Sequence, residues 1–287
     1  MDMLKDYDFG SSRGYKTKGL VACYQQSSII DDILSCLKYS LQNKLPVVAC
    51  GGGSNILINN RFNGCFVLYD NQEIQKVSET STYVLVKAGA GLSKELLVKY
   101  CYQNGYSGLE FWSGIPGLVG GGVAMNCGAY GSQTQSVVYE LELCSCSGLT
   151  TVQAHKLNWV YRSAGIENGN VITSATFKLI KSDAQIVEKT SMEYIKDRQT
   201  KHPLEYPSCG SVFKNPSGSD KGAWELIKDA GLCGLKIGGA TVSTKHSNFI
   251  VNIDNAKPQD IIKLIEEIKL RVKEKFNIQL QEEIKIY

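Results

Sequence analysis

The apolar positions of this chain change period several times along its length, and the changes predict alternating helices and strands. From Ser28 to Lys44 they fall at helical spacing, with Ile29, Ile30, Ile33, Leu34, Leu37 and Leu41 on one side. Residues 45–50 (LPVVAC) read as a short buried strand that stops at three consecutive glycines, and 56–58 (ILI) is a second short run. Strand patterns return at 83–88, 140–146 and 171–180, with a helix at 93–105 closed by Gly105. From Lys181 to Lys201 the chain turns polar with helical spacing, which marks a boundary. Beyond it the pattern predicts helices at 223–231 and 258–275, strands around 239–242 and 248–253, and strand alternation in the tail 277–287. No period of 20–50 residues recurs, so the expectation is an α+β chain rather than a repeat array.

Composition narrows the class. At 287 residues the chain is long enough for two or three lobes, and 43% apolar with 21% charged residues is a globular balance. No apolar run approaches the roughly 18 residues that span a bilayer. The opening MDMLKDYDFG has no apolar core behind a basic head, so no signal peptide, no membrane insertion and a cytoplasmic location are expected. A net charge of +3 is too mild for a nucleic-acid surface, and the densest basic stretch, Lys263 to Lys275, is interleaved with Glu266, Glu267 and Glu274. The ten cysteines contain no CxxC pair, and Cys50, Cys65, Cys101 and Cys233 sit in apolar runs, where reduced cysteine is a small core residue. His155, His202 and His246 are too dispersed for a metal site, and none is expected.

Glycine changes the picture. The chain has 28, and nine of the 27 residues from Gly105 to Gly131 are glycine. The segment Gly51–Gly52–Gly53–Ser54–Asn55 follows a strand and can expose successive amides as an anion-binding nest; a tight turn is the plainer alternative. It is neither GxGxxG nor GxxxxGK[ST], which excludes the Rossmann and P-loop readings. In SGIPGLVGGGVAMNCGAYG (113–131), Pro116 is expected at the first position of a short helix, and the glycines at 117, 120, 121 and 122 would let a flat ligand lie on the backbone. A helix packed closely on a sheet would use the same small residues. Two such stretches in one chain favour a dinucleotide. In PSCGSVFKNP (207–216) Ser211 is not in GxSxG, so a hydrolase elbow is excluded; Cys209 reads as packing, and Lys214 and Asn215 can donate to anionic oxygens. Arg162 in WVYRS and the tail pair Glu282–Glu283 carry no weight singly.

Taken in order, GGGSN, IPGLVGGGVAMNCGAYG, YR, PSCGSVFKNP, AWELI, GLCGLKIGGATVSTKHSNFIVN and a glutamate in the tail strand resemble the UDP-N-acetylenolpyruvoylglucosamine reductase family. The resemblance runs from about Tyr15 to the C-terminus. It implies an FAD-binding fold of the PCMH/vanillyl-alcohol-oxidase type, with lobes at 1–75 and 76–184 and a C-terminal α+β substrate lobe at 185–287. The short gap between Arg162 and Ser211 is similar to the family's shorter type. The implied reaction reduces UDP-N-acetylglucosamine enolpyruvate to UDP-N-acetylmuramate for peptidoglycan, with NADPH as co-substrate, by hydride addition at the vinyl carbon. The same resemblance implies FAD contacts from Gly51, Gly52, Gly53, Ser54, Asn55, Ile115, Pro116, Gly117, Gly121, Gly122 and Ala129. Arg162 and Glu283 would stabilise the developing enolate, Ser211 would donate the proton, and Lys214, Asn215 and Lys245 would hold anionic groups of the substrate. Lys18–Gly19, YRSAG and Leu280–Gln281–Glu282–Glu283 depart from the family's usual forms; tail alternation selects Glu283, opposite Ile278, Leu280, Ile284 and Ile286. The alternatives are a non-catalytic UDP-sugar or nucleotide-binding protein and a sugar or lactone oxidase of the same flavin fold, which would not be expected to carry PSCGSVFKNP.

Overall fold

The computed structural model describes residues 3–287. Along the chain come β1 (Leu4–Asp8), β2 (Gly19–Ser27), α1 (Ile30–Gln42), β3 (Val47–Ala49), β4 (Ile56–Leu57), β5 (Asn60–Tyr69), β6 (Ile74–Glu79) and β7 (Tyr83–Gly89). Next are α2 (Lys94–Gln103), β8 (Tyr106–Ser107), α3 (Val119–Ala124), β9 (Gly128–Ala129), β10 (Ser132–Gln133), β11 (Val138–Ser145), β12 (Gly148–Gln153) and β13 (Val171–Lys181). The last part holds α4 (Ala184–Lys201), α5 (Ala223–Asp229), β14 (Lys236–Ile237), β15 (Ala240–Val242), β16 (Ile250–Asn252), α6 (Pro258–Phe276) and β17 (Lys285–Ile286). The mixture is α+β, as the pattern predicts. Two compact units result, one of residues 1–5, 23–52 and 63–198, the other of 6–22, 53–62 and 199–287.

The first unit is built on an antiparallel sheet ordered β12-β11-β13-β7-β6, with β8 added beside β13. Its central strand β13 is buried from Val171 to Phe177, and Val84, Val86, Leu141, Ala175 and Phe177 close its core. A four-stranded sheet, β1-β2-β5-β3, carries the glycine turn at the end of β3; β1, β2 and β5 also contribute residues to the second unit. On α1 the buried face is Ile33, Cys36, Leu37 and Ser40, whereas Ile29 and Leu41 are exposed, so the apolar stripe read from sequence is rotated. The strand expected to be buried, β3, is only half-buried at Val47 and Val48 and exposed at Ala49. The sequence pattern missed β2, β5, β6 and β12: β6 is an edge strand with polar, exposed positions, and a strand of that kind has no alternation to read.

The second unit packs α5 and α6 with the three-stranded antiparallel sheet β14-β15-β16. Helix α6 starts at Pro258, whose missing N–H costs nothing in the first turn, and Asp260 accepts from the Lys257 amide at 2.9 Å. Ile261, Leu264, Ile265, Ile268 and Val272 make its buried stripe, and Asn277 ends it in the left-handed conformation. In the tail, β17 pairs in parallel with β4 over two residues only, and Ile286 is exposed, so the expected long strand with four buried isoleucine and leucine positions is cut short. Cys65 and Cys101 are core residues as expected; Cys233 is exposed and Cys50 half-buried, because the runs that hold them end at the surface. Among the described residues no helix is long and apolar enough to cross a membrane, and no group of three or more metal-ligating side chains occurs.

Candidate functional site

In the first unit the two glycine stretches meet. A Cβ added to Gly51 would lie 3.7 Å from Gly121 Cα, and one on Gly52 would lie 3.6 Å from Gly117 Cα. The 114–122 segment is set by backbone bonds: Gly117 O accepts from Lys94 N, Leu92 O from Val119 N and Ala90 O from Gly120 N. Helix α3 begins at Val119, not at Pro116, so Pro116 lies in the entering loop beside Gly117, whose φ of +107° requires glycine. The three helical glycines divide by role. A Cβ added to Gly120 would lie 2.9 Å from Ala90 Cβ and one on Gly122 3.0 Å from Lys94 Cδ and the Trp112 ring, whereas a Cβ on Gly121 would meet nothing within 4 Å. Gly51 and Gly52 donate their amides to no residue among the described ones. A Cβ-free face beside unclaimed amides suits a flat ligand with a pyrophosphate. The residues present therefore fit FAD.

Ile115 and Ala129 flank this segment: the Ile115 amide donates to Trp112 O, and Ala129 pairs with Ser132 across β9 and β10. Arg162 belongs to the same unit. It sits in a tight turn closed by reciprocal Val160–Ser163 backbone bonds of 2.9 and 3.0 Å, with φ +63°, a left-handed arginine held by its surroundings. Its Nη1 lies 3.5 Å from Gly128 O and its guanidinium stacks over Tyr161, 4.8 Å from the centroid. Asn126 Nδ2 to Val160 O and Ala164 N to Ala124 O pin this turn to the glycine-rich segment. The structure thus brings Arg162 to the stretch that holds Gly117, Gly121, Gly122 and Ala129.

The second unit brings together Gly53–Asn55, Ser211, Lys214 and Glu283. Glu283 N donates to Val212 O at 2.7 Å and Lys214 N to Gln281 O at 2.9 Å, which lays the tail antiparallel to 212–214. Asn55 Nδ2 donates to Glu283 O at 3.2 Å, and Lys285 N donates to Asn55 O. Gly210, at φ +75°, turns the chain into half-buried Ser211. Glu282 is claimed by Lys269, 2.9 Å away. Asn215 is exposed and its Oδ1 accepts from Ala223 N at 3.0 Å, fixing the start of α5. Lys245 Nζ donates to Gln199 O at 2.8 Å. Cys209 is buried, its thiol pushed up to about 12 by desolvation and its Sγ bonded to Ile56 O, the packing role expected.

Three supporting residues escaped the sequence reading. Buried Asn248 clamps the serine loop, accepting from Phe213 N at 3.0 Å and donating to Phe213 O at 2.8 Å, while its carbonyl takes Val212 N. It stands in the motif TKHSNFIVN, but nothing local says which strand it serves. Arg13 fills the space a Gly53 side chain would need, 2.7–2.8 Å from that Cβ, and lies over Phe9. Lys94 is 4% exposed beneath Gly122. Burial pulls its ammonium below the usual lysine range.

Residues 22–152 match the model of an FAD binding domain, and residues 202–287 match that of the UDP-N-acetylenolpyruvoylglucosamine reductase C-terminal domain. A protein of that name from Listeria innocua is 38% identical over 274 residues, covering 94% of this chain and 90% of its own. One from Alkaliphilus oremlandii is 38% identical over 259 residues, covering 90% and 84%. Among solved structures, UDP-N-acetylenolpyruvylglucosamine reductase (MurB) from Thermus caldophilus superposes at a TM-score of 0.79 with 24% identity, over 100% of this chain and 98% of that one. It shares the fold. Identity of this extent along nearly the whole sequence, on a chain whose glycine stretches fit FAD, shows that the protein belongs to the UDP-N-acetylenolpyruvoylglucosamine reductase family.

Proposed function

We propose that the protein is the NADPH-dependent reductase that converts UDP-N-acetylglucosamine enolpyruvate to UDP-N-acetylmuramate for peptidoglycan precursor synthesis, acting in the cytoplasm on small molecules, without a nucleic-acid partner. FAD, when bound, supplies hydride chemistry that amino-acid side chains lack. Residues 1–75 and 76–184 hold it, with the amides of Gly51 and Gly52 and the open face at Gly121 toward the cofactor, and 185–287 hold the substrate. The observation that carries the reading is the 2.7 Å bond from Glu283 N to Val212 O, which, with the bridge between Phe213 and Glu282, lays the segments carrying Ser211 and Glu283 side by side. Ser211 gives the proton that the reduced carbon needs. Arg162, and Glu283 as a protonated donor or through water, stabilise the negative charge that develops toward the substrate carboxylate, and Lys214, Asn215 and Lys245 receive its anionic groups. The match of 202–287 to the reductase's own C-terminal domain favours neither a binding protein nor an oxidase.

Ser211→Ala tests this by separating the half-reactions. No substrate carbon is protonated when NADPH reduces the flavin, so flavin retention and that step should survive. Enolpyruvyl reduction should slow by about 10²–10⁴-fold, with partial recovery in Ser211→Cys, which keeps a transferable proton. Stopped-flow absorbance follows each step. Equal losses in both, or no loss in the second, would remove Ser211 from the mechanism.

A further inference from the structure

One cluster of reactive side chains in the first unit is untouched by this chemistry. Cys36, on the buried face of α1, and Cys65, on β5, are both fully buried, and their sulfurs lie 3.3 Å apart. Met3 Sδ stands 3.9 Å from each sulfur. Cys23, on β2, completes the group, and Lys5 Nζ reaches Cys23 Sγ at 3.4 Å and Tyr39 Oη at 2.8 Å. A disulfide requires about 2.05 Å between sulfurs, so closing the pair needs only about 1.2 Å of approach, within the reach of small χ1 changes.

The two thiols also differ. Either thiol can donate across the 3.3 Å contact; with Cys36 as donor, the bond draws the Cys65 thiol below the usual range and pushes Cys36 up. Burial pushes Cys101 up, with the Glu110 charge adding to it, and burial alone pushes Cys144 up. One member of the pair is thus the easier thiolate and the other sits beside it with its proton retained, the division of labour of an attacking and a resolving cysteine.

We propose that Cys36 and Cys65 are a redox-active pair that a hydroperoxide converts to an intramolecular disulfide. The Cys65 thiolate attacks the outer peroxide oxygen and the O–O bond breaks, giving the sulfenic acid and a hydroxide that leaves as water after taking a proton. Cys36 sulfur then attacks the sulfenic sulfur; an S–S bond forms, the S–O bond breaks, and the oxygen leaves with the Cys36 proton as a second water. Two thiols are oxidised and one hydrogen peroxide is reduced to two waters. The bond joins positions 29 apart, and the loop it closes contains β3 and the Gly51–Asn55 turn.

The test treats the flavin-loaded protein with hydrogen peroxide, alkylates free thiols under denaturing conditions, and maps the digest without reduction. The expected product is a linked pair of peptides carrying Cys36 and Cys65, about 2 Da lighter than the two thiol peptides together and separated by dithiothreitol. Cys36→Ala should leave Cys65 as a sulfenic acid that dimedone labels, whereas Cys65→Ala should leave Cys36 unlabelled. The wild-type map decides by itself if either variant fails to fold. Linkage of Cys65 to Cys23, or free thiols at both positions once exposed Cys146 and Cys233 are oxidised, overturns the proposal.

Discussion

Glu282 and Glu283 are neighbours with different occupations. Glu282 accepts from Lys269, and that bond raises the lysine's pKa. Glu283 is tied through its backbone to Val212 and to the Asn55 side chain. Glu283→Gln should therefore lower turnover by about 10²–10³-fold, whereas Glu282→Gln should leave turnover intact and remove at most about 1 kcal/mol of stability, the ordinary worth of a half-exposed pair. Steady-state assay and urea unfolding of both variants check the assignment; the reverse pattern would move the acid to Glu282. Lys94 gives a second residue-scale expectation. Among the described residues its ammonium has no hydrogen-bond or ion-pair partner, only the Trp112 ring 5.7 Å away. A cation–π contact of about 2 kcal/mol does not offset burial of a charge, which costs several kcal/mol. Lys94→Met should therefore stabilise the flavin-free protein by about 1–3 kcal/mol at neutral pH. Because burial lowers the folded-state pKa of Lys94, the unfolded chain binds the extra proton between that value and 10.5, and wild-type stability rises with pH across this window. The advantage of the methionine variant should shrink as pH approaches 10.5. Urea midpoints measured at pH 7 and pH 10 decide it; an advantage that grows with pH would refute the argument.

At the scale of the element, α3 offers a contrast within one turn. Ala at Gly120 would place its Cβ 2.9 Å from that of Ala90 and 3.3 Å from its carbonyl, so the helix must shift from the strand end it packs on. The expected cost is about 1–3 kcal/mol in the flavin-free protein. Ala at Gly121 meets no atom within 4 Å and replaces a helical glycine, so the flavin-free protein should gain up to about 1 kcal/mol. If the open face at Gly121 receives the isoalloxazine or pyrophosphate, the same variant should hold FAD less tightly, read by fluorescence during dialysis. A Gly121→Ala protein that retains flavin like the wild type would take Gly121 out of the cofactor site.

The whole molecule decides what the C-terminal segment can do alone. Tyr15 and Leu57 belong to the buried core around α5 and α6, Asn252 Nδ2 donates to Tyr15 O, and β17 finds its partner in β4. The segment 199–287 expressed by itself lacks Tyr15, Leu57 and β4. It should show no cooperative urea transition by circular dichroism, although its helical sequences keep some far-UV signal. A sharp transition would establish it as an autonomous domain.

By itself, the sequence determined the class of elements, the helices with strong periodicity and the family. The extent of α6 follows from Pro258, Asp260 and a 3.6-residue stripe, all within a few bonds of one another. The glycine stretches were legible because only glycine serves a backbone at φ +107° or a Cβ-free face. Only the tertiary structure decided the rest. The pairing of Glu283 with Val212, the clamp by Asn248 and the contact of Cys36 with Cys65 join positions far apart in the chain. A strand's partner is set by which non-local edges are left to pair, and no local period encodes that choice. The buried face of α1, the start of α3 at Val119 and the left-handed Arg162 were settled in the same way, by what packs against them.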